Sequence, residues 1–245
     1  MIIAKALNRG LRLFSNALNF VSNPRHFQQK KNFQAQSEAV IKKHFSQTKE
    51  IVEALNKKYE KPIFGRVHTT DLFDLLGKCV DPVDASLGGV SQLIHSLQTI
   101  ESMENEGIKD RDFLFAGLVH DMGKLLLLMD EVPENIVCMN APIGTYERGI
   151  GLDQCVLQWN HDEFIYSRLK HYLPEHISWL LRYHSMFIVE CEPFMNDLDR
   201  EYTERYLQLF RRHDRGSKSV YSLPTKKIED YKDLIRLYLP ESILF

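Results

Sequence analysis

Apolar residues recur every three or four positions along most of this chain, and the alternation typical of strands is scarce. Such spacing predicts amphipathic α-helices, each of which buries one face in a common core. Residues 61–68 and 81–89 contain proline and glycine and are predicted to be irregular. We therefore expect an all-α fold, a helical bundle built from residues 37–245. Its predicted helices span residues 37–58, 69–76 (capped by Thr69 or Thr70), 90–103, 111–129, 152–172, 174–187 and 201–213.

The first 36 residues differ from the rest in charge and are predicted to form a separate N-terminal unit. Residues 1–66 hold 13 Lys and Arg against 4 Asp and Glu, whereas residues 67–245 hold 18 against 29. The polar, Gln-rich residues 22–36 are expected to link a basic helix to the main domain. Such a helix would contact its own domain, a second subunit or a membrane surface, and a transit peptide is a further alternative. Its apolar face in residues 1–21 comprises Ile3, Leu7, Leu11, Phe14, Leu18 and Val21, with Lys5, Arg9 and Arg12 off that face.

The overall composition is that of an ordinary soluble globular protein. Of the 245 residues, 44% are hydrophobic and 26% charged, and no apolar run is long enough to cross a bilayer. The four cysteines are far apart and form no CxxC pair, which argues against a disulfide framework or a cysteine-based zinc site. We therefore expect a reducing compartment, the cytoplasm. We expect no nucleic-acid partner.

The strongest chemical signal is the run His120-Asp121-Met122-Gly123-Lys124, which lies in the most apolar predicted helix. Charges buried there are unfavourable unless they are paired or bind a metal. Lys124 follows His120 by four residues and Asp121 by three, so the three side chains can share one side of a helix. An imidazole beside a carboxylate forms a compact metal-binding unit, because the carboxylate can bridge two cations. Taken alone, the dipeptide is more typical of a buried His–Asp pair with the lysine reaching solvent.

Four further candidate ligands lie on other predicted helices beside apolar neighbours: His95, His161, His184 and Asp214. One histidine on an apolar face is usually a satisfied core residue, but four histidines with two acids are hard to satisfy separately. A divalent metal supplies a partner for all of them. Four imidazoles and two carboxylates without a thiolate suit iron, manganese, zinc or cobalt. Six ligands are too many for one cation that keeps an open catalytic position, so we predict a dinuclear metal site. Besides a shared Asp121, one metal is assigned His95, His120 and Asp214, and the other His161 and His184.

The order of these residues resembles a known superfamily. His95, His120-Asp121 and Asp214 are similar to the H…HD…D signature of HD-domain proteins, most of which are metal-dependent phosphohydrolases. From about Phe64 to the C-terminus, the surrounding segments resemble the inositol oxygenase family more closely. The matching segments are LIHSLQT (residues 93–99), GLVHDMGK (117–124), GLD (151–153), QWNHDEF (158–164), LRYHS (181–185) and DRGSK (214–218).

The resemblance implies a non-haem diiron oxygenase. Its two iron ions, as Fe2+/Fe3+, would use O2 to oxidise or cleave a small polar substrate, as in the conversion of myo-inositol to D-glucuronate. The resemblance also implies that Lys124, Ser185 and Lys218 bind the substrate, and that Lys124 and Asp121 are catalytic. Ammonium groups beside a substrate oxygen would stabilise its negative charge and orient hydroxyls. Ligand chemistry alone leaves manganese and zinc open.

Two other functions remain as alternatives from the residues alone. An HD-domain phosphohydrolase would use the two metals to activate water, with Lys124 and Lys218 binding phosphate. A non-catalytic, metal-stabilised protein would use the N-terminal helix to bind a partner.

The chain departs from the family pattern around the expected substrate. Cys138 and Met139 stand where the family carries a Gly-Asp pair whose aspartate contacts inositol. The family's acidic loop before the first metal histidine is replaced by Asp81-Pro82-Val83-Asp84 at a shifted distance, and no N-terminal arginine motif matches. A thiol and a thioether do not replace a carboxylate as acceptors from hydroxyls. We therefore predict an altered pocket and poor activity on myo-inositol.

Overall fold

The computed structural model describes residues 36–84, 87–137 and 139–245, and it confirms the predicted all-α class. The predictions for the N-terminal helix and for Cys138 lie outside these described residues. The α-helices are α1 (36–44), α2 (Lys49–Lys58), α3 (Thr69–Leu76), α4 (Gln92–Asn105), α5 (Arg111–Val119), α6 (His161–Leu169), α7 (Glu175–Tyr183), α8 (Ile188–Cys191), α9 (Asp197–Tyr202), α10 (Gln208–Ser217) and α11 (Lys232–Tyr238).

Short non-α segments connect these helices. The 3-10 turns are Pro133–Asn135, Leu152–Gln154, Glu192–Phe194 and Ile228–Tyr231, with a longer 3-10 helix over Met122–Met129 and a π-helical turn over Thr203–Leu207. Strands β1 (Arg66–His68) and β2 (Ser242–Leu244) pair antiparallel and fasten the C-terminus to a segment that the sequence predicted to be irregular.

The single helix predicted over residues 37–58 is wrong, because a break separates α1 from α2. The Thr48 hydroxyl oxygen caps α2 by accepting from the Ile51 N–H at 3.4 Å. Gln47 in the break turns inward, where its amide oxygen accepts from the Trp159 N–H at 2.7 Å and its amide nitrogen donates to the Trp159 carbonyl at 3.1 Å. These side-chain bonds hold the break against the core.

The single helix predicted over residues 111–129 is also wrong, because it is interrupted at the predicted metal ligands His120 and Asp121. α5 ends at Val119, and a 3-10 helix resumes at Met122. The backbone at Gly123 lies against the first turn of α6, so that a Cβ atom there would be 2.1 Å from the His161 carbonyl oxygen. The break thus allows two chain segments that carry His120 and His161 to approach closely.

Two more helix starts differ from the prediction. The helix expected over residues 152–172 begins only at His161, where the Asn160 side chain accepts from the Asp162 N–H at 3.0 Å as its cap. The predicted threonine cap of α3 is absent. Instead, the Thr69 hydroxyl donates to the Pro240 carbonyl at 2.5 Å and so fixes the C-terminal segment.

One continuous core holds these elements together. α4 packs on α5 and α10, and α6 packs on α7 and on the 3-10 helix Met122–Met129. Fully buried rings, including Phe115, Phe164 and Phe210, fill the spaces between the helices. The cysteines of the described chain, Cys79, Cys155 and Cys191, are buried free thiols. Within that part of the chain, no helix has the length and apolar character needed to cross a membrane.

The contact at Gly123 gives a test of the fold. Gly123→Ala should lower the free energy of unfolding by about 3 kcal/mol, because the added methyl meets rigid backbone. Gly216 in α10 is the matched control, since an added Cβ has no neighbour within 4 Å there. Gly216→Ala should leave stability unchanged or raise it by up to about 1 kcal/mol. Urea unfolding measures both variants, and equal stabilities would show that the close approach is easily relieved.

Candidate metal centre

Three helices bring the first set of predicted ligands together in the core. His95 lies in α4, His120 directly follows α5, and Asp214 lies near the end of α10. The Nε2 atoms of His95 and His120 are 3.2 Å apart. Asp214 Oδ1 lies 3.0 Å from Nε2 of His95 and 3.6 Å from Nε2 of His120. Asp121 Oδ2 lies 3.4 Å from His120 Nε2 and 3.5 Å from His95 Nε2, and these three residues form a group able to hold a metal ion, with Asp214 beside the two histidines.

The second set forms on the other side of Asp121. His161 is the first residue of α6, and His184 directly follows α7. The Nε2 atoms of these two histidines are 3.3 Å apart. Asp121 Oδ1 lies 3.0 Å from His161 Nε2 and 3.9 Å from His184 Nε2. The two oxygens of one carboxylate therefore face the two groups, which is the geometry of a bridging ligand.

The hydrogen bonds of three histidines favour a cation between the rings. The Nδ1 atom of His120 lies 3.0 Å from the Gly117 carbonyl, and that of His184 lies 2.9 Å from the Leu181 carbonyl. His161 makes the same bond to the Ile136 carbonyl at 2.5 Å. A carbonyl accepts, so Nδ1 carries the proton and the Nε2 lone pair points into the site. Opposed lone pairs about 3 Å apart repel unless a positive charge lies between them, and these residues therefore fit metal ions.

The pKa values of His95 and His120 also favour a positive charge at the first ligand group. Burial lowers the pKa of His95 to about 4, and the Lys218 ammonium adds to this effect. Burial also disfavours a charged His120, but Asp121 and Asp214 outweigh it and raise the pKa of His120 to about 9. Asp121 and Asp214 thus favour a positive charge at His120 Nε2, which is a second proton when no metal is bound. A bound cation would supply it.

Lys124 lies beside the bridging carboxylate. Its ammonium is 3.0 Å from Asp121 Oδ2, 2.9 Å from Asp81 Oδ2 and 3.1 Å from the Gln92 amide oxygen. Burial alone would raise the pKa of Asp121, yet Lys124 and His120 hold it well below its usual range. Burial alone would lower the pKa of Lys124, but Asp121 and Asp81 raise it above its usual value. Both groups are therefore charged near neutral pH.

The remaining predicted substrate residues also border the centre. The Lys218 ammonium lies 2.7 Å from Asp84 and 3.7 Å from Asp214. Ser185 follows His184, and its hydroxyl donates to Asp162 Oδ2 at 2.6 Å. All the residues assigned to the site from sequence thus lie in one region.

Sequence reasoning missed the acids that hold these polar groups. Asp81 and Asp84, treated as a departure from the family pattern, contact the two lysines of the site. Asp162 is fully buried and accepts from both the N–H and the hydroxyl of Ser185. Its place directly after His161 is a signal that could have been used, because it repeats the His-Asp pair at residue 120.

Arg211 was also missed, although it joins the two ligand groups. Its Nε donates to the His184 carbonyl at 2.6 Å, and a second nitrogen donates to the Met186 carbonyl. Burial lowers the pKa of Arg211 to about 10, so the side chain stays charged near neutral pH. Arg211 therefore fixes the turn that carries His184 from the same helix that carries Asp214.

The chain is similar to known proteins along most of its length. The family model for myo-inositol oxygenase matches residues 34–139 and 133–245. A probable inositol oxygenase of Oryza sativa subsp. japonica is 28% identical, with 82% of this chain and 77% of the relative covered. Inositol oxygenase 1 of Arabidopsis thaliana is also 28% identical, over 82% and 76% of the two chains. The inositol oxygenase of Danio rerio is 24% identical, over 80% and 84%.

The fold and the site define a helical protein with two His/Asp groups, each able to hold a metal ion, that share one aspartate. The chain belongs to the myo-inositol oxygenase family. This membership confirms the resemblance that the sequence motifs indicated. It also favours an oxygenase over the phosphohydrolase alternative.

Proposed function

We propose that this protein is a non-haem diiron oxygenase that oxidises or cleaves a small polar substrate with O2. The observation that supports it best is the pair of ligand groups that share Asp121, one with His95 and His120 and the other with His161 and His184. Iron ions held there would supply the redox chemistry that activates O2. The same donors also suit manganese and zinc.

The chain's own residues would bind and orient the substrate. Lys124 Nζ, held charged by Asp81 and Asp121, also donates to the Gln92 amide oxygen. It would exchange this neutral partner for a substrate oxygen and stabilise negative charge on it. Lys218 Nζ, 3.7 Å from Asp214 Oδ1, offers a second ammonium. The Ser185 hydroxyl donates to Asp162 and accepts from the Asn160 amide, so one lone pair of its oxygen remains to accept from a substrate hydroxyl.

Rigid placement of Lys124 and Asp121 would account for much of the acceleration of the reaction. Lys124 and Asp121 are at most 4% exposed, and each is held by several partners, so little reorganisation is needed when charge develops. A buried site also excludes water from the reacting groups. We propose a cytoplasmic enzyme, with residues 1–36 as a separate unit that contacts a membrane surface or a second subunit.

Oxygen consumption tests the proposed function. With myo-inositol, the iron-loaded protein should show kcat/KM at least about tenfold below that of Arabidopsis thaliana inositol oxygenase 1 measured alongside it. The reason is that Met139 offers no carboxylate to substrate hydroxyls, and each lost hydrogen bond costs about 1–3 kcal/mol.

Equal kcat/KM values for the two proteins would show that Met139 does not alter the pocket. Absence of O2 consumption with neutral and charged polyols alike, by protein of confirmed iron content, would contradict the oxygenase itself.

A further inference from the structure

Arg215 is a cation next to Asp214 that no carboxylate of the described residues neutralises. It directly follows Asp214 on α10, its side chain is exposed, and it forms no ion pair in the described part of the chain. Its guanidinium nitrogen lies 4.0 Å from the sulfur of Met139, and a thioether is only a weak acceptor. The guanidinium is therefore available to a ligand.

The five carboxylates described around the centre each have a partner among the side chains of the site. Each lies 2.6–3.7 Å from the Lys or Ser side chain with which it pairs. The pairs are Lys124 with Asp81 and Asp121, Lys218 with Asp84 and Asp214, and Ser185 with Asp162. None of these five carboxylates thus forms an ion pair with Arg215.

Backbone and amide contacts place this charge on the Ser185 side of the centre. Met139 precedes Asn140, whose amide nitrogen donates to the Asn160 side chain at 3.3 Å. The Asn160 amide in turn donates to the Ser185 hydroxyl oxygen at 3.0 Å. The segment that contacts Arg215 therefore lies along the residues that border the proposed substrate site.

We propose that the substrate carries an oxyanion group, a carboxylate or a phosphate ester, that Arg215 binds at the entrance of the site. This inference rests on the proposed function and specifies its substrate class. A planar guanidinium donates two parallel hydrogen bonds to such a group, and the thioether of Met139 does not compete for it. The hydroxyl-bearing end of the same molecule would then lie towards Lys124.

Calorimetry under anaerobic conditions, with the full-length metal-loaded protein, tests this directly. The probes are myo-inositol, its monophosphate and quinate, a cyclic polyol with a carboxylate. At least one charged probe should bind about ten- to a hundredfold more tightly than myo-inositol, as expected for a hydrogen-bonded charge pair. The tighter of the two charged probes identifies which oxyanion the site accepts.

Arg215→Gln should abolish this preference and leave the affinity for myo-inositol within about twofold. Arg212→Gln is the matched control, because Arg212 is an exposed cation of the same helix that pairs with Glu106. It should change none of the three affinities. Equal or tighter binding of myo-inositol, an anion preference that survives Arg215→Gln, or no binding of any probe would overturn the inference. Binding that depends on Arg215 without O2 consumption would instead contradict only the oxygenase proposal.

Discussion

A variant with both His161→Ala and His184→Ala should bind one metal ion per chain where the unaltered protein binds two. The two histidines present their Nε2 atoms to each other at 3.3 Å, and no other imidazole belongs to that ligand group. Removing both leaves only Asp121, which cannot hold a second cation alone. The first group keeps His95 and His120, so its metal should remain.

Metal analysis of the dialysed proteins measures this effect. His176→Ala is a suitable control, because His176 lies outside both groups and pairs with Asp112. That variant should retain two metals. A double variant with its full metal content would show that the second ligand assignment is wrong, and loss of both metals would show that the two groups do not bind independently.

Asp121→Ala should remove both metals together with activity, because its two oxygens face both histidine groups. A metal that binds only the folded state stabilises it, by about 4 kcal/mol when free metal exceeds Kd a thousandfold. For a chain of this length, that corresponds to a decrease in Tm of about 10 °C. A chelator should cause a comparable decrease in the unaltered protein and little further change in Asp121→Ala.

The same measurements separate a metal site from a structural charge cluster. Lys124 keeps Asp81 as a partner in the variant, so the loss of one carboxylate does not leave that ammonium unpaired. If chelator leaves the Tm of the unaltered protein unchanged, the His–Asp cluster is a satisfied part of the core rather than a metal centre.

The sequence predicted the helical class and brought out all six proposed ligands. The four histidines and Asp121 lie close to apolar residues, and Asp214 completes the H…HD…D order. Helical periodicity could not show where the helices break. The break after α1 depends on the bonds of Gln47 to Trp159, and the break after α5 on the approach of Gly123 to His161, both distant in sequence. The second break matters for the site, because it places His120 and Asp121 between two helical segments.

The partners of the site were harder to predict than its ligands. Asp81 and Asp84 lie in a loop without periodicity, so nothing local showed that they contact Lys124 and Lys218. Arg211 lies in a strongly amphipathic helix, where a charged residue is normally solvated. Only the packing of α10 against the end of α7 shows that it is buried and bonded to the His184 carbonyl.

Iron analysis combined with EPR spectroscopy of protein purified without oxygen and then partly oxidised tests the proposed diiron centre most directly. Two groups that share Asp121 would hold two iron ions a single carboxylate apart, close enough to couple magnetically. We therefore expect about two iron ions per chain and the signal of an exchange-coupled Fe2+/Fe3+ pair. One iron per chain with the signal of an isolated ferric ion, or two zinc ions with no signal, would contradict the diiron assignment.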